Sequence, residues 1–556
     1  MTETPEIAAP AAAAAPADAP AEPGVARHVG KVSAATFLSR VLGLLRDQVF
    51  AALFGAGTAA DAFNMAFRVP NLVRDLFAEG AMSASFVPTF TEWRSKQGDD
   101  AAWALGRQLM STLLAVLLAL CVLGWLLAPA IVGLMAGGFA AVPGKLDLTV
   151  LLTRIMLPFL PAMALSAAAM GMLNARGVFF LPAFAPALLN VGMIVFGLAA
   201  IPLCRNQGWP IIVGMAAGVV LGGALQFTAQ LPALARLGFR YRLEWPTWHP
   251  GVRRVALLML PATIGLAATQ LNVFVSQAIA ASFREGSVSW LQYAFRLMQL
   301  PIGLFGVAVA TVSLPAMSRA AVGGDSPRLR ATLSESVRLV FLLTVPSALF
   351  LAVFARPIIA LLFQHGAFRA ADTSATGDAL LMYCIGLPAF AAVGIFTRAY
   401  YALGDTRTPV RSTFVAVGTN LALNLLFVGP LAGLGLEHRG LALATSATAI
   451  LNLTQLALRL RGRLGGVDGG RMLRSLTRIA LASAVPAAAL AWGLFAWGDV
   501  SRLTVPARAG VVAVGGVAGL TVLVVTLRLL RVEELEMFGE LVRSVRNRFK
   551  GGSRTS

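Results

Sequence analysis

Long apolar runs, each roughly long enough to cross a bilayer, alternate along this chain with short polar breaks. A helix needs about 20 apolar residues to span the hydrocarbon core. Runs of that order fall at 33–54, 59–90, 109–135, 150–173, 180–203 and 211–234. After a basic break at 236–254, six more follow at 255–282, 289–317, 340–363, 379–403, 412–434 and 441–460, and a final two at 479–497 and 505–527. The pattern predicts an all-α polytopic membrane protein of about fourteen transmembrane helices. Residues 1–27 are Ala/Pro-rich, with neither a basic n-region nor an apolar h-region, and predict a disordered tail in place of a signal peptide.

The first twelve runs form two sets of six. Ala66-Phe67-Arg68 recurs as Ala294-Phe295-Arg296, Leu76-Phe77 as Leu304-Phe305, Pro129 as Pro357 and Gly138 as Gly366, all at an offset of 228. Pro161-Ala162 and Pro182 recur at an offset of 227. A nearly constant offset over four successive runs implies two homologous halves. Six is even, so both halves share one orientation, with a pseudo-twofold axis along the membrane normal. The expected division is an N-lobe at 28–236, a linker at 237–252, a C-lobe at 253–462, a further helix pair at 463–530 and a tail at 531–556. Halves of this kind can rock about a central site, the geometry of an alternating-access transporter.

Composition supports the membrane assignment. The chain is 57% apolar and 13% charged, with a mean hydropathy of +0.76, outside the range of soluble domains. Its formal net charge of +19 sits in short clusters between apolar runs, as the positive-inside rule requires, and not in a patch suited to nucleic acid. Clusters such as Arg236, Arg240 and Arg242, or Arg471, Arg474 and Arg478, all fall on one side. Isolated Lys145, Arg205, Arg284 and Arg369 fall on the other, so both termini are expected in the cytoplasm. The segment 532–550 spaces Leu535, Phe538, Val542, Val545 and Phe549 at helical intervals among arginines, predicting an amphipathic surface helix on anionic lipid.

The chemistry-bearing residues lie where they cost most. Arg40, Arg46 and Asp47 interrupt the first run, Asp61, Arg68, Arg74 and Glu79 the second, and Arg296 the eighth. Charges at bilayer depth cost roughly 2.5–3.5 kcal/mol each on insertion scales and normally face a cavity or a partner. Guanidinium is always ionised and its planar fork matches phosphate oxygens, so these arginines fit an anion such as a diphosphate. A structural reading also stands for Arg40 with Asp47, for Arg74 beside Asp75, for Glu79 as an arginine's partner, and for Asp61 as the cap of its own helix. No acid lies within a helical turn of Arg296, which makes it the leading ligand candidate. The four histidines fall in tails or loops and the three cysteines lack pairable spacing. No nucleotide-binding or nucleophile motif is present, so neither metal nor catalytic chemistry is indicated.

At these residues the chain closely resembles the MurJ (MviN) family. Ser39-Arg40, Gly43 and Arg46-Asp47 carry the resemblance first, followed by Asp61, Phe63, Pro70-Asn71-Leu72, Arg74, Phe77 and Glu79-Gly80-Ala81. In the second half it rests on Gly286, Trp290 and Arg296-Leu297-Met298, and it covers about residues 30–530. It implies a MOP-superfamily exporter fold of two six-helix lobes and two extra helices along a lipid groove. It also implies a flippase for lipid II, the undecaprenyl-diphosphate-linked peptidoglycan precursor, with cell-wall synthesis or division proteins as partners. On the matching positions the cavity arginines fall on Arg40, Arg46, Arg74 and Arg296, supported by Asp47, Asp61, Arg68 and Glu79. Where many members have acids directly before and three after the second-half arginine, this chain has Phe295 and Gln299. Some members bind sodium in the second lobe; the matching candidates are Gln270, Asn272, Asn420, Asn424, Thr445 and Thr448, with no carboxylate. Coupling to sodium, protons or the membrane potential is therefore an expectation, and no cofactor is expected. The alternatives are another exporter of the superfamily, for a lipid-linked oligosaccharide or a drug, and a non-transporting scaffold.

Overall fold

The computed structural model describes residues 25–77, 81–247, 249–498, 500–537 and 539. The first lobe comprises α1 (Val25–Phe54), α2 (Thr58–Phe77), α3 (Ala81–Gln97), α4 (Asp99–Ala136), α5 (Lys145–Met156), α6 (Phe159–Ala175), α7 (Phe180–Ala199), α8 (Ile201–Asn206), α9 (Ile212–Thr228) and α10 (Leu231–Arg236). The second comprises α11 (Pro250–Ala280), α12 (Ser287–Pro301), α13 (Val307–Val322), α14 (Ser326–Val353), α15 (Ala355–Leu362), α16 (Ala370–Ala402), α17 (Arg407–Val428) and α18 (Glu437–Leu464). Then α19 (Gly469–Trp497) packs on α14, and α20 (Val505–Leu529) packs on α19.

Among the described residues, eleven helical stretches are long and apolar enough to cross a membrane. The remaining crossings of a fourteen-helix bundle are α1, the α2–α3 pair and α11. The first two carry inserted charges, which lower their apolar character. Lipid-facing apolar side chains confirm the solvent: Phe495 is 87% and Trp492 74% exposed on α19, an inversion a soluble helix would not tolerate.

Several helices begin before their apolar runs, α16 at Ala370 and α19 at Gly469 among them. The fourth helix begins at Asp99, ten residues before the apolar run, with Asp99 and Asp100 in its first turn where the helix dipole favours anions. The ninth crossing is Ser326–Val353, not 340–363; Asp325 caps it by accepting from the Arg328 amide at 2.9 Å. Its polar first turns hide the start from an apolar count, and the chain bends at Phe354 into the separate α15. Only 532–537 and 539 of the expected 532–550 surface helix, and neither Glu79 nor the Asp75 side chain, lie within the described residues.

One apolar cluster is continuous across the lobes. Phe50, Phe63 and Phe67 of the first lobe share it with Trp290, Tyr293, Phe363 and Phe368 of the second. Phe50 packs tilted against Phe63, and Tyr293 against Phe363, with ring centroids 4.8 Å apart in each pair. It seals the end of the interface where the loops are poor in arginine. A second feature sits midway along the eighth crossing, where Ile302–Gly306 is π-helical. Pro301 lacks the amide hydrogen that would continue an α ladder, and π-bulges of this kind often mark functional positions.

Candidate substrate site between the lobes

The inserted charges converge on the lobe interface. Asp47 of α1 accepts from Arg46 Nε at 3.1 Å and Nη2 at 2.8 Å, and its second oxygen pairs with Arg296 of α12. Arg46 also donates to the Asn190 side-chain oxygen of α7 at 3.0 Å, and Asn190 donates in turn to the Ser39 carbonyl at 3.2 Å. One carboxylate thus bridges two guanidiniums from opposite lobes, directly beneath the aromatic seal. Arg46 is also within electrostatic reach of Arg296 and Arg74, two like charges. Arg40 is exposed, and its guanidinium lies against the π-helical segment: a Cβ added to Gly303 would come within 2.7 Å of Nη1. Arg40, Arg46, Arg74 and Arg296 therefore line one region, with Arg74 half-buried in the last turn of α2.

Arg68 is the pseudo-symmetric counterpart of Arg296. It donates to the Gln270 side-chain oxygen of α11, as Arg296 reaches Asp47 of α1. Each lobe's second crossing thus sends an arginine to the first helix of the other lobe. Gln270 is consequently an arginine partner and does not join the candidate cation group.

Asp61 corrects its expected role. It neither faces the cavity nor caps its own helix. It is 1% exposed, pairs with Lys145 at 2.9 Å and caps α12, accepting from the Gly286 amide at 2.8 Å and the Ser289 amide at 3.0 Å and hydroxyl at 2.7 Å. The reciprocal cap is Glu285, just before α12, which accepts from the Thr58 amide and hydroxyl at 2.5 Å each at the start of α2. Helix amino-termini favour such carboxylates. These hydrogen bonds hold the exposed Glu285 carboxyl below the ordinary glutamate range, with Lys145 adding a smaller pull and burial opposing.

The candidate cation residues form a hydrogen-bonded cluster instead of an oxygen cage. Asn420 accepts from Ser276 at 3.2 Å and from Asn424 at 2.9 Å, and donates to Thr448 at 3.3 Å; Asn424 also donates to Ser276 at 3.0 Å. Thr445 turns away to the Leu441 carbonyl at 2.8 Å. The Asn272 oxygen is buried without a hydrogen-bond partner among the described residues. Hard cations favour carboxylate oxygens; here the candidate ligands are neutral, and Asn420 Oδ1 already accepts from Ser276 and Asn424.

Two comparisons bear on what this interface serves. The family model for "Lipid II flippase MurJ" matches residues 50–503. The chain is 41% identical to the lipid II flippase MurJ of Burkholderia cenocepacia, covering 78% of this chain and 83% of that one. It is 38% identical to the probable lipid II flippase MurJ of Vibrio cholerae, covering 85% and 90%. The chain belongs to the MurJ family.

A solved MurJ structure in an inward closed conformation superposes with a TM-score of 0.73 at 26% identity, over 90% of this chain and 99% of that one. An inward-facing multidrug MATE transporter of the MOP superfamily matches with a TM-score of 0.64 at 16% identity, over 78% and 96%, a likeness of fold. MurJ membership makes this a multi-pass membrane transporter of the MOP fold. Sequence reasoning had missed Lys145, Asn190, Ser276, Glu285 and Ser289. A lone amide in an apolar run was the available signal for Asn190; the others became visible only through their partners.

Proposed function

We propose that this chain is an alternating-access flippase that moves lipid II from the inner to the outer leaflet of the bacterial cytoplasmic membrane, with both termini cytoplasmic. The observation that carries the reading is the Arg46–Asp47–Arg296 bridge between the lobes, with Arg40 and Arg74 beside it. A diphosphate entering from the arginine-rich side meets four guanidiniums, two of which are held by one carboxylate. A diphosphate matches the guanidinium fork as a carboxylate does and brings more acceptor oxygens and charge than the single shared carboxylate, so the cargo replaces Asp47 as their acceptor. That exchange releases the tie between α1 and α12, and the lobes are free to rock. The arginines substitute for the water the diphosphate loses, while the polyprenyl tail stays in lipid along α19 and α20. There the apolar hollow of about 310 Å³ between α14, α19 and α20, lined by Phe350, Pro486 and Leu520, suits acyl chains. A cationic cavity that moves between membrane faces also couples to the membrane potential, at about 2.3 kcal/mol per charge per 100 mV.

The test is the leaflet location of lipid II in cells depleted of this protein and re-supplied with wild type or with a variant in which Arg40, Arg46, Arg74 and Arg296 are alanine. Accumulation on the inner leaflet, cleared by wild type alone, is the expected result. Precursor that still reaches the outer leaflet after depletion would mean a different cargo.

A further inference from the structure

A second arginine cluster lies away from the interface, at the arginine-rich end of the C-lobe. Arg471, Arg474 and Arg478 occupy one face of α19, and Arg338 of α14 faces them across a hollow of about 400 Å³. The segment after α20 folds back to form its remaining wall. There the Glu534 carboxylate, 3% exposed, accepts from Arg338 at 2.8 Å and Glu533 accepts from it at 3.2 Å. Both acids are thereby held by Arg338. Among the described residues, Arg471, Arg474 and Arg478 have no carboxylate partner.

Three features mark this hollow as more than a row of interfacial arginines. Ser475 lines it, is only 5% exposed, and its hydroxyl has no hydrogen-bond partner among the described residues. Arg338 Nε is likewise buried without one. Buried donors of this kind are rare unless something fills the space. The third feature is position. Arg471 and Arg474 stand in the first two turns of α19, where the helix dipole disfavours cations, and spacings of three and four set like charges side by side. An anion in the hollow would offset both costs and satisfy both donors.

We propose that Arg338, Arg471, Arg474, Ser475 and Arg478 form a binding site for the phosphate of an anionic phospholipid headgroup. Guanidinium forks match phosphodiester oxygens, and the serine hydroxyl supplies a further donor. The site opens at the end of the bundle beside the lipid-exposed face of α19, so a lipid reaches it without leaving the leaflet. It is separate from the cargo arginines and does not depend on the identity of the cargo.

The experiment uses the full chain in phosphatidylcholine nanodiscs with trace spin-labelled phosphatidylglycerol, reading the motionally restricted fraction. Wild type should prefer the anionic lipid, and a variant carrying R471Q, R474Q and R478Q should lose that preference by about tenfold. The single change S475A, which leaves every charge in place, should weaken it about threefold. A control with R240Q and R242Q removes charge at the same end of the bundle but outside the hollow, and should match wild type. Equal loss in the control, or no loss in the triple variant, would overturn the site. Displacement of the labelled lipid by millimolar glycerol phosphate would reassign it to a soluble anion.

Discussion

Asp47 holds guanidiniums from both lobes, so its loss leaves two like charges facing each other in a partly desolvated interface. Breaking a fully buried pair costs about 3–5 kcal/mol. Arg296 is 34% exposed on its side chain, so solvent screens part of that and the expected loss for Asp47→Ala is ~2 kcal/mol. A lower thermal midpoint in detergent checks it. Arg296→Ala should abolish lipid II transport while leaving membrane insertion intact, read as leaflet location and membrane abundance. Arg296→Lys should also be impaired, because an ammonium lacks the bidentate fork. Full activity in the lysine variant would reduce the role to charge attraction. The arginines themselves were legible in the sequence, since charges in apolar runs announce themselves. Their pairing was not: Asp47 looked like a partner for Arg40 one face-repeat away, whereas the folded chain gives it to Arg46 and Arg296.

At the scale of elements, the closure at the arginine-poor face is built from exchanged caps and close backbone approaches. Gly138 and Gly366, one repeat apart, occupy equivalent places. A Cβ on Gly138 would lie 2.5 Å from the Ala281 carbonyl oxygen at the end of α11; one on Gly366 would lie 2.2 Å from the Ala52 oxygen near the end of α1. Gly366 also has φ +57°, which disfavours any side chain. Gly366→Ala should therefore wedge this face apart, read as increased labelling of a cysteine placed at the buried Ala56. The carboxyl of Glu285 adds a pH dependence. Its folded value is depressed, so its contribution to closure is present above the ordinary glutamate value and lost as pH falls through the depressed one. Acidification below the ordinary glutamate range should lower the thermal midpoint in detergent, and that fall should be blunted in Glu285→Gln. The repeat offset marked Gly138 and Gly366 as equivalent; that each presses on the other lobe's first helix is information no offset contains.

For the whole molecule, rocking requires that the two lobes part on this face during each cycle. The Ala367 amide donates to the Ala52 carbonyl at 2.8 Å across the interface, close enough for a bridge. Cysteines at these two positions should cross-link on oxidation, stop transport, and release it on reduction. Continued transport in the oxidised form would exclude rocking at this interface. The native Cys121, Cys204 and Cys384 are buried and should not compete for the bridge.

The sequence alone determined the membrane class, the doubled six-helix plan, the family and the positions of the charged residues, because hydrophobic run length, repeat offset and the cost of a charge in lipid are properties of the chain in one dimension. Tertiary structure decided what those charges do. Asp61 became a cap for a helix of the other lobe, Gln270 an arginine partner, and Asn420 with Asn424 a closed amide cluster built through Ser276. Each outcome depends on which helix lies opposite: for Asp61 and Gln270 it belongs to the other lobe, more than two hundred residues away, and for the amides it is α11 of the same lobe, 144 residues away. Partners at such separations are set by how the helices pack, which local pattern does not specify.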